Sequence, residues 1–506
     1  MIEIVNLKNC IQNVLRKLKI RLKNINVFVL VFLIFISIAY VMVFSYSTSP
    51  VYPFYYGRDS AQFLTIGKAW YFGKTPYIEM FDHKGPLIFW IDMIGFVLGN
   101  GQKYGVSLIQ VVFMFFLVLS FFKINQLLYE NTIYGCMVVI ITLFLMKLNY
   151  CDGNSVEEYC LPFISWSLFG IIRFWKCRDM QNHNPKWAFV YGLTLGVCLL
   201  TRITNFLPLC TGIIFIILLL LYKKQYINLI QNILSGLLGF SVIVLPFLIY
   251  FLQKNALYEC IYGTLIYNFE YAEARKSWIL SANSEELMQY FKDYFVALII
   301  FVVAFISFLK KEYSFTLLLF LTGIIEQCMY LSGDAFPQYP LVCIAQIPLT
   351  INLVMSLTYK NKPVEMMTVI CSLFTIMSLL GTNLESMTNV ITMRRDFKQR
   401  YDRGWEQLIS MIPTDERKSF VVYGGNEFKE LYLLDDLMPC YKYFIIQEWQ
   451  GKISPETKTE IHDVFSSNEA KWILTDSDVN NIQDILTENY QLAGDVNQYF
   501  LYVIKD

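Results

Sequence analysis

Long apolar segments recur along most of this chain and leave it few ways to fold in water. A helix crosses the hydrocarbon core of a bilayer with about 20 apolar residues. Runs that meet or approach this length fall at 27–46, 104–123, 132–147, 159–175, 187–203, 206–222, 232–252, 294–309, 315–331, 340–357 and 364–381. They predict a polytopic α-helical membrane protein with about 11 transmembrane helices, since in lipid every backbone polar group must be paired within the protein. The two runs flanking Thr201–Asn205 are joined so tightly that they also read as one re-entrant pair. Lys17, Lys19, Arg21 and Lys23 precede the first run, Val27–Tyr46. That run is longer than a signal-peptide core and no small-residue cleavage site follows, so it is expected to remain as the first transmembrane helix.

Basic residues set the expected orientation, because lysine and arginine are retained on the cytoplasmic side of short loops. Arg173, Lys176, Arg178 and Lys186 form one cluster, Lys223 and Lys224 a second, Lys310 and Lys311 a third, Lys360 and Lys362 a fourth. These clusters fall on alternate loops. They predict a cytoplasmic N-terminus and three larger extracytoplasmic pieces: 47–103, 253–293 and a mixed-charge stretch at 382–506. The chain therefore divides into a transmembrane domain over 1–381 and a C-terminal domain over 382–506. In the latter, the apolar runs Phe420–Tyr423, Tyr443–Ile446, Trp472–Leu474 and Tyr499–Ile504 alternate with helix-like segments at Ser454–Phe465 and Asn480–Thr487. This pattern predicts a small α/β domain.

Composition removes several functions. Charged residues make up 16% of the 506 and the formal net charge is zero, which leaves no basic footprint for nucleic acid. The twelve cysteines lie mostly inside apolar runs, without zinc-ligand or disulfide-framework spacing. The three histidines, His83, His183 and His462, are far apart, and no metal constellation is visible.

The first outer loop holds the densest signal. Its stretches Ala61–Phe72 and Pro86–Leu98 repeat apolar residues every three or four positions, as helices lying in the membrane interface do. Tyr55, Tyr56, Trp70, Tyr71, Phe89 and Trp90 suit headgroup depth. Asp59 stands at the expected N-cap of the first stretch. Alone it reads as a helix cap, and Lys84 alone reads as a snorkelling cation. An acid and a base in one aromatic interfacial loop read instead as a site.

The ordered string Asp59, Gly73-Lys74-Thr75-Pro76-Tyr77, then Asp82-His83-Lys84-Gly85-Pro86-Leu87-Ile88-Phe89-Trp90 resembles the GT-C glycosyltransferases, in particular the family of protein O-mannosyltransferases and lipid A aminoarabinose transferases. The segment Gly333–Pro340 resembles a late outer loop of that family, with Gln338 where a histidine often precedes the tyrosine, here Tyr339. The resemblance implies a polyprenyl-phosphate sugar donor and a glycan, lipid or protein acceptor; Asp59 lacks a D-x-D partner, so metal-independent chemistry without a cofactor is expected. It also implies an inverting transfer on the extracytoplasmic face of a bacterial plasma membrane, with Asp59 as general base. A leaving phosphate needs positive charge, for which Lys84 is the first candidate and Arg58 and Arg202 are reserves. Arg202 lies between two spans, where an unpartnered charge is costly. Possible substrate contacts are Glu158 (favoured slightly over Glu157), Asp152, His83, Gln338 and Tyr339. His83 also reads as a solvated neighbour of Lys84, and the acids of the second outer loop as merely solvated. Aromatic residues of 253–293 suit either sugar stacking or the interface. The competing readings are a transporter or flippase of lipid-linked glycans, which favours internal repeats and intramembrane charges, and a glycan polymerase.

Overall fold

The computed structural model describes residues 26–53, 55–57, 59–176, 182–274, 282–332, 335–358, 405–434 and 437–505. Arg58 and the apolar run 364–381 lie outside the described residues. Every other expected span falls on helix. Six of these helices are long and apolar enough to cross a membrane: Val27–Phe44, Tyr104–Leu128, Thr132–Tyr150, Ile203–Tyr222, Tyr226–Gln253 and Tyr313–Ser332. Ser284–Asp293 and Phe295–Leu309 form a seventh if counted as one span bent by 72°. The remainder are shorter or more charged. Pro185–Leu199 has 15 residues, Val156–Lys176 carries Glu157, Glu158, Arg173 and Lys176, and Tyr339–Gln346 is a 3₁₀ turn leading into Ile347–Thr358. The Thr201–Asn205 connection is a tight turn followed by a 3₁₀ segment, Ile203–Phe206. Asparagines start several helices by capping backbone N–H groups: Asn26 that of Phe28, Asn131 that of Tyr134 and Asn184 that of Lys186.

Lipid offers no hydrophobic drive between helices, so close packing relies on small residues. Pro185–Leu199 and Tyr226–Gln253 meet through glycines. A Cβ on Gly192 lies 1.9 Å from the Gly236 carbonyl oxygen, and one on Gly239 lies 2.1 Å from that of Phe189.

The C-terminal unit is a four-stranded sheet, β1 (Phe420–Tyr423), β2 (Trp472–Thr475), β3 (Tyr490–Val496) and β4 (Tyr499–Ile504), in the order β1-β2-β4-β3. β1 and β2 run parallel with Phe420 opposite Trp472, and β4 pairs antiparallel with both β2 and β3. Every residue of β1 and β2 is buried, as expected of parallel strands covered on both faces. The expected strand at Tyr443–Ile446 is instead a buried loop. The Gln447 amide group donates to the carbonyls of Val422 and Tyr443 and accepts from the Gly424 N–H, so a side chain satisfies what a strand partner otherwise would. β3 was not expected, because its alternation is weak and broken by a bulge between Leu492 and Gly494.

This unit sits on the two helices of the first loop, Asp59–Tyr71 and Pro86–Leu98. Phe63, Ile66, Trp70 and Phe89 share one core with Trp405, Leu408, Phe420 and Leu431. Lys68 and Lys74 donate to the carbonyls of Tyr432 and Pro439 at 3.1 and 2.9 Å, and the Phe81 N–H donates to Lys442 O at 2.9 Å. The first helix is consequently buried on most of its surface, from Ser60 through Gly67. The expectation of a helix half-open to the interface is corrected: the C-terminal unit covers its outer face.

Gly192→Ala is expected to destabilise the protein in detergent by about 1–3 kcal/mol through overpacking. Gly236→Ala, whose Cβ meets only the Ala188 carbonyl oxygen at 3.4 Å, is expected to be near neutral. Thermal unfolding of the two variants checks the contrast; equal losses refute it.

Candidate active site

The site begins with a cation that holds a loop. The Lys103 ammonium donates to the Tyr52 carbonyl at 2.9 Å and to that of Tyr55, and lies 4.1 Å over the Tyr56 ring. Gly57 then takes a left-handed conformation, φ 73°, which favours glycine. The helix that follows starts at Asp59, whose side chain is 55% exposed. Its Oδ1 lies 3.4 Å from Nζ of Lys429, a lysine of the C-terminal unit that is only 5% exposed.

The second segment of the site is Asp82-His83-Lys84-Gly85. Its backbone pairs with the turn at Leu200–Thr201: the Gly85 N–H donates to Thr201 O at 3.0 Å and the Leu87 N–H to Leu200 O at 2.9 Å. Only glycine permits this approach, since a Cβ on Gly85 lies 2.2 Å from the Leu200 carbonyl. The pairing brings Lys84 near Arg202, two residues beyond Leu200. Asp82 accepts the Lys84 N–H at 2.8 Å, Tyr77 OH donates to the Lys84 carbonyl at 2.6 Å, and Asn268 donates to that of His83 at 2.7 Å. The Lys84 ammonium lies 2.6 Å from His83 Nε2. With lysine as donor, the histidine proton sits on Nδ1, 3.7 Å from Asp82 Oδ1. His83 is thus largely covered, not a solvated neighbour.

Arg202 completes the cationic side. Its Nη1 lies 3.1 Å from Glu157 Oε1, and its guanidinium carbon lies 3.3 Å above the Tyr339 ring. The structure separates Glu157 from Glu158. Glu157 lines the cavity. Glu158 is turned into the bundle, where it accepts from Gln110 at 2.9 Å, Tyr150 at 2.6 Å and the Asn154 N–H at 2.8 Å. Consecutive helix residues point about 100° apart, so the preference for Glu158 is corrected in favour of its neighbour. Asp152 does not line the cavity either; it accepts from Tyr55 OH at 2.9 Å.

These elements enclose one cavity of about 380 Å³, lined by Asp59, His83, Lys84, Glu157, Gln338 and Tyr339 on the helical side. The C-terminal unit closes the other side with Lys429, Glu448, Trp449 and Asp476, among others. None of these four was legible as a site residue, since nothing local in the sequence links them to a membrane loop far away. Burial pushes the Asp82 carboxyl up to about 6, against the pull of the Lys84 ammonium. Burial also lowers the Lys84 ammonium from its usual value, opposed by the Asp82 charge. Among the described residues, no group of His, Cys, Asp or Glu has the geometry to hold a metal ion.

Residues 83–250 match the family model described as Dolichyl-phosphate-mannose-protein mannosyltransferase. ArnT from Cupriavidus metallidurans, in a crystal structure bound to undecaprenyl phosphate, superposes with a TM-score of 0.56 at 10% identity, covering 93% of this chain and 97% of that one. This is the GT-C fold. The apo state of the same ArnT gives a TM-score of 0.52 at 10% identity over the same shares. No curated sequence matches significantly. The resemblance read from the first loop thus extends to the fold of the membrane region and the small sheet together, and the family match takes in Lys84, Glu157 and Arg202.

Asp82 supplies a test of the site's electrostatics. Its folded value near 6 lies above the ordinary 3.8, so the folded state binds the extra proton. Its stabilising contribution is fully present below about pH 3.8 and is lost as pH rises through about 6, about 3 kcal/mol in all. The melting temperature of the native chain relative to Asp82→Asn is expected to fall between pH 4 and 7. A difference independent of pH refutes the assignment.

Proposed function

We propose that this protein is a membrane glycosyltransferase that moves a sugar from a polyprenyl-phosphate donor to an acceptor hydroxyl. The observation that carries the reading is one cavity holding an accessible carboxylate, Asp59, together with Lys84 and with Glu157, whose partner is Arg202. The bound undecaprenyl phosphate of ArnT supports a donor of that class for a chain of the same fold.

In the proposed reaction the acceptor hydroxyl oxygen attacks the anomeric carbon and gives its proton to Asp59. The bond from that carbon to the phosphate oxygen breaks, and the electron pair leaves with the polyprenyl phosphate. Attack opposite the leaving group inverts the anomeric centre. Lys84 and Arg202 stabilise the growing phosphate charge, and Glu157 and Tyr339 hold the guanidinium in place. Gln338 contributes a neutral amide to the rim. A phosphate leaving group needs no second carboxylic acid, unlike the sugar hydroxyl that glycosidases expel.

Asp59→Asn in purified protein is expected to lower transfer at least about 100-fold while donor binding persists. Lys84→Ala is expected to raise donor KM more than acceptor KM. Near-normal transfer by the first variant, or an effect of the second on the acceptor alone, refutes these roles.

We further propose that residues 1–381 form the transmembrane domain and 382–506 an extracytoplasmic domain, with the N-terminus in the bacterial cytoplasm. The alternation of basic loops supports this orientation: of the cavity-lining positions, Asp59 and Lys84 fall in the predicted first outer loop and Glu157 and Tyr339 at predicted outer ends of spans. In a cysteine-depleted chain, the exposed positions Ser410→Cys and Ser314→Cys separate the two faces. An impermeant maleimide is expected to label the first in intact cells and the second only after permeabilisation. The reverse result inverts the topology.

A further inference from the structure

The half of the cavity built by the C-terminal unit differs in chemistry from the half that holds Lys84 and Glu157, the partner of Arg202. It lies beyond the carboxyl ends of the two parallel strands. Tyr423 ends β1 and leads into Gly424-Gly425, and Thr475 ends β2 and leads into Asp476; all three of these following residues line the cavity. In open α/β sheets the crevice outside the carboxyl ends of parallel strands is where ligands bind.

The polar groups there are acceptors held in fixed directions. Asp476 Oδ2 accepts the Gly425 N–H and Oδ1 the Asp478 N–H, each at 2.9 Å. Glu448 Oε1 accepts Tyr423 OH at 2.7 Å and the Asn481 N–H at 2.8 Å. An ionised carboxylate offers about four lone-pair sites, so both side chains retain accepting capacity for hydroxyl donors. Gly424 has no side chain to intrude: a Cβ there lies 2.9 Å from Asp476 Oδ2.

Beside these acids stands an aromatic cleft. The Trp449 ring lies 5.6 Å from Tyr271 and 5.6 Å from His83. The π-face of an aromatic ring stacks on the C–H face of a pyranose while the ring hydroxyls reach polar partners. The charge balance selects further. Glu448, Asp476 and Asp478 face the exposed Lys452, while Lys429 is engaged with Asp59. A phosphorylated ligand is repelled from this wall, whereas on the opposite side Asp82 and Glu157 are matched by Lys84 and Arg202.

We propose that the Trp449–Glu448–Asp476 wall is a binding subsite for an electrically neutral carbohydrate, which serves as the acceptor of the transfer. The acceptor role rests on the function proposed above; the carbohydrate site does not. Lys429 connects the two walls, since it belongs to the C-terminal unit and touches the proposed base. A sugar seated on Trp449 then presents a hydroxyl toward Asp59.

The test uses the full chain in a sugar-free detergent such as lauryldimethylamine oxide, with ligand-observed saturation-transfer NMR. The probes are N,N′-diacetylchitobiose and maltotriose as neutral sugars and glucose 6-phosphate as the anionic one. At least one neutral probe is expected to bind. Trp449→Ala and Asp476→Asn should each weaken it at least about five-fold, Trp449→Phe should restore most of the loss, and Thr459→Ala, at an exposed position away from the cavity, should leave it within about two-fold. The proposal is overturned if no neutral probe binds or if Trp449→Ala leaves binding unchanged. It is also overturned if glucose 6-phosphate binds as well as the neutral sugars and depends on Trp449. Sugar binding at Trp449 without any transfer from polyprenyl-phosphate donors sinks the enzymatic reading and leaves this site standing. Transfer whose acceptor KM ignores Trp449→Ala does the opposite.

Discussion

The backbone pairing of Gly85 and Leu87 with the Leu200–Thr201 turn is the contact on which the site depends. It joins a loop near the start of the chain to a turn between two later helices. The pairing satisfies amide groups that would otherwise be stranded in a crowded interior, and it sets Lys84 next to Arg202. Two cations side by side are unfavourable unless acids surround them. Here Asp82 and Glu157 do so, and Asp59 is within electrostatic reach of Lys84. A side chain in place of Gly85 would push the loop and the turn apart and with them the charges.

Burying this many ionisable groups is costly, and pairing only partly offsets the cost. Elsewhere the helical region buries single acids against neutral hydrogen-bond partners: Glu158 against Gln110 and Tyr150, and Glu326 against Gln346 at 2.6 Å. Around the cavity the charges of both signs, Asp59, Asp82, Lys84 and Glu157, instead meet at one opening, and such a cluster is a sign of function. Asp82 illustrates the point. Its carboxyl titrates near neutrality because burial outweighs the adjacent ammonium.

The C-terminal unit is part of the site as well as its cover. Its core merges with that of the two loop helices, which fixes the height of β1 and β2 over the membrane region. Lys429 reaches Asp59 because the turn after β1 lies directly above the start of the helix that Asp59 begins. The two walls of the cavity are thereby held by different parts of the chain, one with Lys84 among acids and one with Glu448 and Asp476 beside Trp449.

The sequence by itself determined that the chain is a bundle of membrane helices, because apolar length and loop charge are local properties that need no partner. It also marked Asp59 and Lys84, which stand in one short loop with a recognisable order of residues. It did not separate Glu157 from Glu158, since that choice depends on how one helix is rotated against Tyr150 and Gln110. It placed a strand at Tyr443–Ile446 because four apolar residues look alike whether a strand or the Gln447 side chain pairs their backbone. Lys429, Glu448, Trp449 and Asp476 became visible only in three dimensions. Each is an ordinary residue of a soluble-looking segment until the packing of that segment on a distant loop gives it a charge, a ring or a cavity to face.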